Sequence, residues 1–142
     1  MLNYPKLRDP RYQEVLVKYV ERIIENNRVL GIVLYGSMAR GMEKPYPESD
    51  IDLLIIAENL HANPCYRRLE VLKYKEDLPF IEDLWLTPKE LIDAIKGGWG
   101  VILDALADGV VIYDKEGIIE KARQLLQKLH ARIGRVWRLK RG

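Results

Sequence analysis

Two apolar runs on either side of a glycine-serine break constrain this chain most. Leu30 to Tyr35 is β-branched and aromatic and reads as a buried strand. Asp50 to Ala57 reads as a second. Gly36-Ser37 ends the first strand, and Met38 to Gly41 has room for one helical turn. Glu43 to Ser49, with Pro45 and Pro47, is a loop. Two apolar strands linked in this way need covering layers, and the remaining sequence supplies them.

The covering layers are helices. Arg11 to Asn26 repeats Val15, Leu16, Tyr19, Val20, Ile23 and Ile24 at helical spacing, and Asp9-Pro10 supplies a cap and a first-turn proline. Asn63-Pro64 starts a helix to about Tyr74, with Leu69, Leu72 and Tyr66 as its inward residues. Leu78 to Leu86 is a third strand. Thr87-Pro88-Lys89-Glu90 has the form of a capping box and opens a helix that reaches Gly97-Gly98. Trp99 to Ala107 is a further helix and Val110 to Tyr113 a fourth strand. Ile118 to about Val136 reads as one long amphipathic helix. The alternation predicts a single α/β (α+β) domain over 1–142, a small mixed sheet flanked by helices, with a basic C-terminal helix and tail from about 118.

The chemistry concentrates between Leu34 and Ile56. Gly36 lets the backbone approach a ligand, and the Ser37 hydroxyl and the amides after the bend suit phosphate oxygens. Arg40 and Lys44 are nearby cations. Asp50 and Asp52, two residues apart on a strand, share one face, while Ile51, Leu53 and Ile55 take the other. Adjacent carboxylates repel unless a cation lies between them, and hard oxygen ligands suit Mg²⁺ or Mn²⁺. A third acid completes such a site. Asp83 is the candidate; Glu82 sits on the opposite face of the same strand, and periodicity does not choose between them.

The stretch G-S-M-A-R-G followed by S-D-I-D-L-L resembles the signature of the DNA polymerase beta-like nucleotidyltransferase superfamily, and most of all its small stand-alone members, the minimal nucleotidyltransferases. The resemblance implies a polymerase beta palm-like fold. It implies phosphate binding at Gly36 and Ser37 and metal ligation by Asp50 and Asp52. The family's third acid precedes a Thr-Pro-led helix, which matches Asp83 ahead of Thr87-Pro88. The implied reaction is metal-dependent transfer of a nucleoside monophosphate, AMP from ATP, to a hydroxyl. Minimal members act as antitoxins beside a HEPN-type toxin, so a partner protein is the expected acceptor. A non-catalytic nucleotide-binding antitoxin and a small-molecule nucleotidyltransferase are the alternatives. Twelve residues separate Ser37 from Asp50, longer than the family's shortest spacing, and the excess falls in the proline-containing loop.

Composition narrows the setting. The lone Cys65 has no internal partner, and no apolar run is long enough for a bilayer, so a cytoplasmic protein is expected. Net charge is only +2, yet residues 121–142 carry eight Lys or Arg and no acid. That tail admits nucleic-acid binding, but a solvated basic helix face is the simpler reading. The apolar stripe of the same helix serves either a homodimer or, more commonly, the sheet. His61 and His130 read as surface residues without a second ligand at zinc spacing.

Overall fold

The computed structural model describes residues 2–141. Six strands and six helices follow in the order α1 (Pro10–Asn26), β1 (Val29–Tyr35), α2 (Gly36–Ala39), β2 (Ile51–Ala57), α3 (Pro64–Leu72), β3 (Ile81–Leu86), α4 (Pro88–Gly97), α5 (Gly100–Asp108), β4 (Val110–Asp114), α6 (Ile118–Leu129), β5 (His130–Ile133) and β6 (Val136–Leu139). Strands β1 to β4 form one mixed sheet in the order β3-β2-β1-β4. β1 lies antiparallel to both β2 and β4, and β2 lies parallel to β3. This is the sheet flanked by helices that the alternating pattern predicts.

Each face of the sheet carries its own core. On one face Tyr12, Leu16, Tyr19 and Ile23 of α1 pack on Ile32, Leu34, Leu53 and Ile55. On the other, Leu91, Ile102, Leu106 and Leu126 from α4, α5 and α6 pack on Val33, Leu54 and Ile56. Because β1 and β2 are covered on both sides, they are apolar nearly throughout. The caps are those expected. The Asp9 carboxylate accepts from Arg11 N, and Thr87 and Glu90 form a reciprocal capping box. The long loop before β2 is tied to α1. Ser49 N donates to the Tyr12 hydroxyl at 2.9 Å, and Lys44 N donates to Ser49 Oγ at 2.6 Å.

Three expectations are corrected. The last helix ends at Leu129, and the following residues form an antiparallel hairpin, β5–β6, turning at Gly134 with φ +63. Ile133 is therefore exposed rather than part of a helix stripe. His130 is buried, with Nε2 2.6 Å from the Ile95 carbonyl oxygen. In α3 the buried face is Arg67 and Val71, whereas Tyr66, Leu69 and Leu72 are exposed. Arg67 sets that rotation. Its guanidinium donates to the carbonyl oxygens of His61 and Trp85 and bridges both Glu90 oxygens at 2.8 and 3.1 Å.

Candidate active site

The site is built where β1 ends and β2 begins. Tyr35 is paired with Asp52 across the two strands, so the chain leaves β1 directly opposite that carboxylate. Gly36 turns away with φ +76. A Cβ at Gly36 would also collide with Asp52 Oδ2, so backbone conformation and space both require glycine. The bend that sequence assigns to phosphate thus faces the carboxylate that it assigns to metal. Ser37 follows in α2, whose Met38 anchors it in the core, and Arg40 is the exposed residue after the turn.

Strand register decides which third acid joins the row. Asp52 pairs with Glu82, and Leu53 pairs with Asp83. Glu82 therefore shares the face of Asp52, and it is exposed. Asp83 points to the opposite face, where its side chain is 5% exposed. There it accepts from the Tyr19 hydroxyl, from Lys75 Nζ at 2.9 Å and from Trp85 Nε1 at 2.9 Å. Of the two candidate third acids, the register thus sets Glu82 on the face of Asp52 and holds Asp83 in a satisfied network on the other face.

The electrostatics follow from this grouping. Burial raises the Asp52 carboxyl, and the charges of Asp50 and Glu82 raise it further. Tyr35 is pushed up to about 12, first by burial and then by Asp52, Glu82 and Asp83. On the opposite face, burial raises the Tyr19 hydroxyl above its ordinary value, and Asp83 adds to it. Asp50, Asp52 and Glu82 take part in no ion pair among the described residues, whereas Asp83 is paired with Lys75. A row of oxygen ligands with no resident counter-charge fits a hard divalent cation. Among the described residues no three His, Cys, Asp or Glu side chains are already gathered closely enough to hold an ion.

One cavity lies at Glu82 and another at Gly36. One, of about 760 Å³, runs along β3 from Glu82, Asp83 and Leu84 and is bounded by Arg68, Lys75, Trp85 and Trp99. The other, of about 480 Å³, is lined by Tyr35, Gly36, Arg40, Asp108, Arg132 and Arg135 among others. Sequence alone left Glu82 and Asp83 both open as the third acid and gave no expectation of the approach of the C-terminal residues to Gly36. The first needed the register of β3 against β2, which no single strand reveals. The second had a signal in Gly134-Arg135, a two-residue turn between Ile133 and Val136.

A glycine bend set against paired strand carboxylates on a mixed α/β sheet defines a nucleotidyl-transfer scaffold. The chain belongs to the polymerase beta-type nucleotidyltransferase family, whose model matches residues 18–117. In fold it is similar to a chain of a toxin–antitoxin complex crystallised with AMP-PNP, at TM-score 0.53 and 17% identity over 86% of both chains. It is similar also to a chain in the complex of a tri-AMPylated Shewanella oneidensis HEPN toxin with an MNT antitoxin. That likeness has a TM-score of 0.53 and 16% identity over 82% of this chain and 84% of that one. A MntA–HpeT toxin–antitoxin mutant gives a TM-score of 0.52 at 14% identity, over 82% and 83% of the two chains. No characterised protein matches the chain significantly by sequence. Among the described residues no helix is long and apolar enough to cross a membrane.

Proposed function

We propose that this protein transfers AMP from ATP to a hydroxyl on a partner protein, as the antitoxin of a HEPN-type toxin. The observation that carries the reading is the packing of the Asp52 carboxylate against the Gly36 bend, with Glu82 beside it in register. Gly36 and Ser37 receive the β- and γ-phosphates, and Arg40 offsets their charge. Asp50, Asp52 and Glu82 together hold Mg²⁺ or Mn²⁺. When bound, such an ion polarises the phosphoryl oxygens and lowers the pKa of an attacking hydroxyl. Asp52, half-buried and raised by its neighbours, is most relieved by that ion. The cavity at Glu82 admits the acceptor, and its mouth at Arg68 and Trp99 lies open to a protein surface. The free, exposed Cys65 suits a reducing cytoplasm.

The test is transfer from α-labelled ATP with Mg²⁺ to a cognate helical HEPN-type toxin. Label should reach a hydroxyl side chain of the toxin with wild type and not with Asp52→Asn. Equal labelling, or none with either, sinks the reading. The second reading, a nucleotide-binding antitoxin without turnover, uses the same glycine bend and acids. Tight toxin binding with no labelling of the toxin would select it.

A further inference from the structure

The C-terminal hairpin lies beyond the residues matched by the family model, and it is fastened rather than trailing. Arg132 donates to Asp104 at 2.6 Å and to both Asp108 oxygens at 2.8 Å. Its guanidinium lies 4.8 Å from the centre of the Trp137 ring, whose Nε1 donates to Asp104 at 2.9 Å. Hydrogen bonding to Arg132 holds the Asp108 carboxyl low against the opposing effect of burial, and Arg40 contributes as well. His130 fixes the other end to α4 through Ile95. These contacts hold the β5–β6 turn at the rim of the cavity that Gly36 and Arg40 line.

Within that cavity Asp104 and Asp108 are taken up by Arg132. Arg135, in the turn beside Gly134, and Arg40, after the glycine bend, are engaged in no ion pair among the described residues. Two cations from distant parts of the chain therefore line one cavity of about 480 Å³ together with Gly36. We propose that the hairpin is part of the nucleotide site, with Arg135 and Arg40 clasping the polyphosphate of a nucleoside triphosphate from opposite sides of the Gly36 bend. The anchored Arg132 is a positioning residue that holds the turn in place. This inference rests on the nucleotidyltransferase reading for its ligand. An arginine fork suits phosphate oxygens, and the rigid anchor lowers the ordering cost of forming the contact.

Calorimetric titration of the full chain with ATP, AMP and inorganic tripolyphosphate, each with Mg²⁺, tests it. Arg135→Ala should weaken ATP and tripolyphosphate about tenfold and leave AMP unchanged, the loss expected for one charge-assisted contact. Arg135→Lys should retain most of the affinity. Arg138→Ala removes the same charge from the strand face opposite Arg132 and should match wild type. Wild-type affinity in Arg135→Ala, or an equal loss in Arg138→Ala, overturns the clasp and leaves the transfer reaction standing. Absence of any triphosphate binding by wild type overturns both. Arg135-dependent tripolyphosphate binding without nucleotidyl transfer supports the clasp and removes the transfer reading.

Discussion

Gly36 and Asp52 share a space that only one of them can fill. Gly36→Ala forces a Cβ into the carboxylate and a left-handed backbone on alanine, so unfolding free energy should fall by about 1–3 kcal/mol, with nucleotide binding lost. Urea titration and calorimetry check both. Glu82 and Asp83 are neighbours in sequence on opposite faces of β3, and the proposed site uses only Glu82. Glu82→Gln relieves repulsion at Asp52, so it should not lower thermal stability, and it should reduce transfer at least roughly 100-fold. Asp83→Asn should do the reverse first. It removes the charge of the buried acceptor from three donors and leaves the part-buried Lys75 unpaired, lowering stability by about 2–4 kcal/mol. Comparing transfer rates with melting curves separates the pair. A Glu82→Gln protein with full activity, or an Asp83→Asn protein of full stability, contradicts these assignments.

At the scale of elements, α3, β3 and α4 are locked by Arg67 and Glu90. Burial works to raise the Glu90 carboxyl, but hydrogen bonds from Arg67 and Thr87 N prevail and hold it below its ordinary value. A lowered carboxylate stabilises the fold above its unfolded pKa and loses that contribution as pH falls through the folded value. The stability gap between wild type and Glu90→Gln should thus be largest near neutrality and shrink under acid, measured by urea unfolding at several pH values. Arg67→Met should cost about 2–3 kcal/mol, because Glu90 and two carbonyl oxygens lose their donor. The elements most legible in sequence were those with a cap or a break of their own. Asp9-Pro10, Thr87 to Glu90 and Gly36-Ser37 all stand where local chemistry places them. What escaped depends on partners distant in the chain. Leu69 and Leu72 keep helical spacing with apolar character, yet tertiary bonds turn Arg67 inward instead. Ile133 continues the helical period of α6 on paper, but Gly134 permits a tight turn and Arg132 finds its acids on α5.

For the whole molecule, the sheet brings the end of β1 and the starts of β2 and β3 to one end, and α2, α5 and the C-terminal hairpin close around it. Asp50, Asp52, Gly36 and Ser37 stand out in the sequence as a candidate site because they lie within one strand-turn-strand unit. Which of Glu82 and Asp83 shares their face, and the approach of Arg135 to Gly36, were not legible, because the register of β3 and the folding back of the tail decide them. Charge follows the same arrangement: the basic C-terminal segment meets acids of the body through Arg132, and Arg135 lines the cavity at Gly36. The central claim concerns where a divalent ion sits when a triphosphate is bound. The most direct measurement is anomalous diffraction from crystals grown with Mn²⁺ and a non-hydrolysable ATP analogue. The account predicts a manganese peak about 2.0–2.3 Å from oxygens of Asp50 and Asp52, facing Glu82, with the polyphosphate against Gly36. A peak at Asp83, or a nucleotide bound away from the Gly36 bend, would contradict it.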